Sequence, residues 1–119
     1  RGEVIVFYYP GDDAVYYIKR IIGLPGEQIE IKDGKIIIYS NNYSEGLILE
    51  ESYLLPDIKT SGKKGIILDN NEYFVLGDNR YYSFDSRSWG ALKEDEIVGL
   101  VRLRLWPFNK VMAFEKPAY

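Results

Sequence analysis

The chain has 119 residues, 28% charged and 46% apolar, enough for one domain with a real core and ordinary for a globular chain. A net charge of −3 gives no basis for nucleic acid as a partner, because neutralising phosphates takes a dense basic face. Cysteine and histidine are both absent, which excludes disulfides, thiolate chemistry, Ser-His-Asp triads and ordinary zinc sites; no metal or other cofactor is expected, and any base is a carboxylate, a tyrosine or a lysine.

No run approaches the roughly 20 apolar residues that span a bilayer, and no signal-peptide pattern opens the chain. The one methionine is Met112, so the chain reads as a piece of a longer polypeptide with something upstream of Arg1.

Glu3 to Tyr9 (EVIVFYY) is β-branched and aromatic and ends in the turn residues Pro10-Gly11-Asp12-Asp13, so it is predicted as a strand. Ala14 to Ile22 reads the same way and is closed by Gly23-Leu24-Pro25-Gly26. Alternation within it places Tyr17, Lys19 and Ile21 on one face and Ile18 and Arg20 on the other. A lone lysine on an apolar face is either an edge side chain that snorkels to water or a functional amine. Glu27 to Lys32 and Lys35 to Tyr39 flank Asp33-Gly34, the strongest short hairpin signal. From Ser40 to Asn71 the pattern weakens into predicted loops, with short apolar pieces at Leu47–Leu49 and Ile66–Leu68. Gly62-Lys63-Lys64-Gly65 lacks phosphate-loop spacing, and Asp69-Asn70-Asn71-Glu72 lacks calcium-loop spacing; both are expected to be turns. Glu72 to Leu76 is predicted as a strand, Lys93 to Glu96 as a polar or single helical turn, and Ile97 to Trp106 as a long strand. With almost no helix, the fold class is mainly β: curved antiparallel sheets or a partly open small barrel, in a single domain over residues 1–119.

The stretch Gly77 to Gly90 stands apart. Two glycines bound it, and two arginines and three serines lie among its fourteen positions, delivered by the apolar strand that ends at Leu76. A lysine replaces histidine as a base only when its amine is neutral; with an ordinary lysine pKa near 10.4, roughly 0.4% is neutral at pH 8. Burial on an apolar face favours the neutral form, and a hydroxyl holds such an amine without restoring the charge, whereas a carboxylate would favour the protonated form. Lys19, between Tyr17 and Ile21 on its face, with a serine from Gly77–Gly90, meets that requirement.

Three blocks carry a family resemblance: Arg1-Gly2-Glu3-Val4-Ile5-Val6-Phe7, then Tyr17-Ile18-Lys19-Arg20-Ile21-Ile22-Gly23-Leu24-Pro25-Gly26-Glu27, then Gly77-Asp78-Asn79-Arg80 followed by Ser83-Phe84-Asp85-Ser86-Arg87-Ser88-Trp89-Gly90. In order, approximate spacing and the closing Leu105-Trp106-Pro107-Phe108, the chain resembles the bacterial type I signal peptidases, leaving only a variable segment of about 33–71 unaccounted for. The resemblance implies the β-fold shared with LexA-type proteases and a Ser–Lys dyad that removes signal peptides from translocated pre-proteins. It implies Lys19 as general base and Ser83 as the serine that orients it. Asp85 and Arg87 are implied as an ion pair beside the site, Gly77 as the glycine that lets backbone pack against the lysine, and Arg20 and Asp78 as further support. Tyr17 and Ile18 would line the pocket for the residue before the scissile bond, and Val6 the pocket two residues further back, both taking small side chains. Ser86 and Ser88 are expected to be loop hydrogen bonders. The catalytic domain would lie on the extracytoplasmic side of the cell membrane, held by an upstream transmembrane anchor, with Trp106 and Phe108 as candidate contacts with the membrane surface.

Two departures stand out. Tyr81 and Tyr82 occupy positions where the family has acidic or amide residues, and they are expected to be loop variation. The family's nucleophilic serine lies in a block upstream of Arg1, so these residues by themselves are expected to be inactive. Three rival readings stand at this level: a non-catalytic homologue that chaperones surface proteins, another Ser–Lys protease of the LexA type, and a β-module whose motifs are accidental, which the two specific blocks disfavour. Retention of both Lys19 and Ser83 disfavours the first, and the Gly-Asp-Asn-Arg block disfavours the second.

Overall fold

The computed structural model describes residues 1–62 and 65–101, apart from the side chain of Asp13. It is mainly antiparallel β with almost no helix, as expected. The strands are β1 (Val4–Tyr9), β2 (Asp12–Gly23), β3 (Gln28–Lys32), β4 (Lys35–Ser40), β5 (Tyr43–Ile48), β6 (Ile66–Ile67), β7 (Glu72–Leu76), β8 (Leu92–Lys93) and β9 (Ile97–Leu100); one helical turn, α1 (Ser86–Trp89), and a 3-10 turn over Glu94–Glu96 complete the order. The strands form a five-stranded sheet, β8-β7-β2-β1-β9, and a four-stranded sheet, β5-β4-β3-β6.

The pair β2–β7 is the spine of the molecule. Successive residues on a strand point to opposite faces, and here both faces are covered. Ile21 and Val75 join Ile5, Phe7 and Leu92 in one buried cluster. Ile22, Phe74 and Leu76 join Ile29, Ile36, Ile38, Leu49 and Leu68 in the other, between the two sheets. Burial on both sides explains why Ile21-Ile22 and Phe74-Val75-Leu76 read as continuous apolar runs.

The Asp33-Gly34 turn forms as predicted, with φ of 53° and 79°. This is the left-handed geometry of a two-residue hairpin, and it pairs Lys32 with Lys35. The expectation that Ser40 to Asn71 is loop with short apolar pieces needs correcting: Tyr43–Ile48 is a full strand paired with β4. Asn41-Asn42 makes a tight turn that opposes Ser40 to Tyr43, and the register slips between Ile38 and Ser40. As an edge strand, β5 leaves Tyr43, Ser44 and Glu45 exposed, so backbone pairing defines it and no side-chain alternation marks it. Of the predicted strand from Ile97 to Trp106, Ile97–Leu100 forms β9, and Val101 donates its N–H to Val4 O at 2.8 Å. Residues 102–119, with Trp106 and Phe108, and the Lys63-Lys64 pair lie outside the described residues.

Within β2 the two branched residues on the face opposite Lys19 have opposite fates: Ile22 is fully buried and Ile18 is 60% exposed. Ile22→Ala is expected to cost about 2–5 kcal/mol by leaving a cavity. Ile18→Ala is expected to stay within about 0.5 kcal/mol; urea denaturation of both variants checks the contrast.

Candidate active site

β2 and the segment after β7 build the site. Lys19, half-buried near the middle of β2, shares a face with Tyr17 and Ile21. Its Nζ lies 3.1 Å from Ser83 Oγ and 5.5 Å from the centroid of the Tyr17 ring. Among the described residues no carboxylate forms an ion pair with this amine. The 3.1 Å contact serves both protonation states, since an ammonium donates to the hydroxyl oxygen and a hydroxyl donates to a neutral amine.

What holds Ser83 against Lys19 is the peptide of Gly77. A Cβ at position 77 would lie 2.0 Å from Ser83 Oγ and 3.4 Å from Lys19 Nζ. The expectation that this glycine lets backbone approach the lysine is therefore sharpened, because its tighter contact is with the serine. Both ends of residue 77 are clamped by buried charge. Its N–H donates to Asp85 Oδ2 at 3.0 Å, and its carbonyl accepts from Arg80 Nε at 2.9 Å.

Asp85 is completely buried. It caps α1 by accepting from Arg87 N at 3.1 Å, and it accepts from Arg87 Nε and Nη2 at 2.9 and 2.8 Å. Burial by itself pushes its carboxyl up. The hydrogen bonds from Arg87 and from the Gly77 N–H, the Arg87 charge and a smaller contribution from Ser83 together outweigh burial and hold the pKa below the ordinary aspartate value. Arg87 goes on to donate through Nη1 to Arg80 O at 2.9 Å and Ser61 O at 3.0 Å.

Arg80 is the second clamp. Its side chain is fully buried and forms a two-pronged pair with Glu51, one arm at 2.9 Å; it also donates to Thr60 Oγ1 at 2.7 Å. Burial opposes its charge, but the hydrogen bond and charge of Glu51, with help from Tyr53, hold its pKa above the ordinary arginine value. Arg20, on the face of β2 opposite Lys19, pairs with Asp78 through Nε and Nη2 at 2.9 and 2.7 Å, donates to Gly2 O, and stacks 3.9 Å above the Tyr53 ring.

The structure brings together Lys19, Ser83, Gly77 and Asp85–Arg87 in one cluster, with Arg20–Asp78 beside it. The pocket residues are divided: Tyr17 is on the lysine's face, whereas Ile18 faces the other way and pairs across to Val6. Ser86 Oγ accepts the Val75 N–H at 2.9 Å and is buried, while Ser88 is exposed. Tyr82 is exposed, but Tyr81 is more than loop variation, since its hydroxyl accepts the Lys59 N–H at 3.3 Å. Sequence reasoning missed Glu51, Thr60 and the role of Arg80. Arg80 stood in the Gly-Asp-Asn-Arg block, but nothing around Glu51 or Thr60 marked them as its partners. Among the described residues no group of side chains could hold a metal ion, and no helix is long and apolar enough to cross a membrane.

Two consequences are measurable. A carboxyl with a lowered folded pKa contributes stability above its unfolded value, near pH 4, and loses it as pH falls through the folded value. Asp85→Asn is thus expected to cost about 3–5 kcal/mol near pH 7 by leaving Arg87 unpaired. The gap to wild type should narrow below about pH 4, as urea melts across pH will read. Gly77→Ala is expected to push Ser83 off Lys19 and destabilise by about 1–3 kcal/mol through overpacking. The same melts give the cost, and a structure of the variant would show a lengthened Lys19–Ser83 contact.

Comparison with known proteins gives the family of the chain. A family model described as "Signal peptidase, peptidase S26" matches residues 1–106. Signal peptidase IB of Staphylococcus aureus strain Mu50 is 33% identical over 121 aligned residues, spanning 92% of this chain and 62% of that protein. Signal peptidase I of Leptolyngbya laminosa is 35% identical, spanning 93% of this chain and 55% of that protein. A crystal structure of a signal peptidase I from Enterococcus faecalis V583 superposes with a TM-score of 0.68 at 29% identity, covering 85% of this chain and 94% of that one. The chain spans about three-fifths of the length of the curated relatives it matches. With the Lys19–Ser83 cluster seated on a fold and a sequence of this kind, the chain belongs to the signal peptidase family, peptidase S26.

Proposed function

We propose that this chain supplies the lysine half of a Ser–Lys serine endopeptidase that removes N-terminal signal peptides from translocated pre-proteins. The observation that carries the reading is the 3.1 Å contact between Lys19 Nζ and Ser83 Oγ, made without a paired carboxylate among the described residues in a chain that has no histidine. Lys19 acts as general base and Ser83 orients it. Arg20–Asp78, Asp85–Arg87 and Gly77 fix the frame. Ser83 is a poor candidate for the nucleophile, because its oxygen is pressed against Gly77 and its Cβ would lie 2.6 Å from a Cβ there. By the family resemblance, the attacking serine lies in a block upstream of Arg1.

In this mechanism the neutral Lys19 amine takes the nucleophilic serine's proton as its oxygen bonds to the scissile carbonyl carbon. The resulting ammonium then gives the proton to the leaving amine as the C–N bond breaks. Water, deprotonated by the same amine, releases the acyl group. The substrate is held in extended form. Asp12 and residues 16–20 of β2 pair with β1, and β7 joins only from Arg20 onward, which leaves a strand edge open beside Lys19 among the described residues. Tyr17, Ile18 and Val6 line the pockets for small side chains. The partners are signal peptides and the extracytoplasmic face of the cell membrane, with an upstream anchor and with Trp106 and Phe108 as further contacts.

In the full-length protein, Lys19→Ala is expected to lower cleavage of a pre-protein by about 10²–10⁴-fold with the circular-dichroism melt unchanged. Ser83→Ala should lower it less, and in kcat rather than KM, as loss of the lysine's orientation requires. Undiminished turnover by Lys19→Ala overturns the mechanism.

A further inference from the structure

Three aromatic rings converge beside the Lys19–Ser83 contact from separate parts of the chain. Tyr9 ends β1, Tyr17 is two residues before Lys19 on β2, and Phe84 directly follows Ser83. Their centroids form a closed triangle, 5.4 Å between Tyr9 and Tyr17, 5.7 Å between Tyr9 and Phe84, and 6.3 Å between Tyr17 and Phe84. Trp89 backs the triangle at 5.9 Å from Tyr9, and Phe7 lies 5.8 Å behind Trp89, so the rings rest on the buried cluster under the sheet. The Tyr17 ring centroid in turn lies 5.5 Å from the amine.

The core does not account for Phe84. It belongs to neither buried cluster and is 48% exposed, so the ring is packed on its inner side by Tyr9 and Tyr17 and keeps an outer face that a ligand can meet. Its position says what that is. An extended chain added along the open edge of β2 runs past Tyr17 and Lys19, and alternate side chains of that chain point to the face that these rings occupy. Propped on two neighbours and tethered next to Ser83, the ring cannot swing aside without giving up its aromatic contacts and disturbing the serine.

We propose that Phe84 is the specificity-determining residue for the substrate side chain seated beside Lys19, with Tyr9 and Tyr17 as its buttress. The ring sets the depth of that subsite and refuses bulk by steric exclusion, so a small side chain fits and a branched one does not. This rests on the peptidase reading above and assigns the residue that enforces size.

The test uses the full-length protein and two competing synthetic pre-peptides that differ only before the cut, alanine in one and leucine in the other. Phe84→Ala is expected to shrink the alanine-to-leucine ratio of kcat/KM at least about tenfold, the scale on which apolar pockets discriminate by methylenes, and Phe84→Trp to steepen it. An unchanged ratio in a Phe84→Ala protein that still cuts overturns the gate and leaves the peptidase reading standing. Wild-type protein that cuts neither peptide overturns that reading and the gate with it. Should Phe84→Ala fail to fold, Phe84→Leu is held to the same criterion. Should turnover be lost, anisotropy of the dye-labelled peptides on a Lys19→Ala background reads the ratio as binding: a shift of at least about tenfold supports the gate and an unmoved ratio overturns it.

Discussion

The arrangement on which the site depends is the double clamp on the Gly77 peptide. Its N–H is held by the carboxylate of Asp85 and its carbonyl by the guanidinium of Arg80, both fully buried. Hydrogen bonds to charged groups are stronger than neutral ones, and two on one residue leave its backbone little freedom. A backbone held this firmly is what allows a serine to be packed where a single methyl group would displace it. The buried charges are costly to desolvate and contribute little net stability by themselves. Their benefit is positional, because each is paired and each has its remaining donors or acceptors occupied by neighbouring backbone and side chains.

The clamp also joins parts of the chain that the sequence keeps far apart. Arg80 reaches Glu51 and Thr60, and Thr60 donates its own N–H to Gly34 O at 2.9 Å, at the tip of the β3–β4 hairpin. Arg87 reaches the Ser61 carbonyl, and Tyr53 lies against Arg20. The segment that carries no family motif is therefore bolted to the site's frame through several contacts. Its sequence is free to vary where it faces solvent, at Tyr43 to Glu45 for example, but less so where it meets these arginines.

Strand β2 divides its labour along its length. Its last residues, Arg20 to Gly23, run along β7 and are buried, and Arg20 and Ile21 are also held on the other edge by Val4 and by the backbone of Gly2 and Glu3. Among the described residues its first eight keep one edge open, and Lys19 sits where the locked part meets the open part. An amine placed there gains the rigidity of the core on one side and access for an extended ligand on the other, which is how a strand scaffold presents a reactive group.

The sequence by itself determined the strand inventory, wherever burial or turn chemistry left a local mark. β-branched and aromatic runs located β1, β2 and β7, Asp33-Gly34 fixed one hairpin, and alternation put Lys19 with Tyr17 and Ile21. Absence of histidine and the Gly-Asp-Asn-Arg and Lys-Arg blocks brought Lys19 and Ser83 into view as a pair. Strand β5 was not legible, because an edge strand held by backbone pairing carries no side-chain period. Nor were Glu51, Thr60 and the aromatic triangle, since nothing local distinguishes a surface glutamate from one that neutralises a buried arginine 29 residues on. Those assignments are set by which loops meet in space. Only the tertiary structure decided them, and through the Gly77 peptide it turned a polar loop into a rigid holder for one lysine.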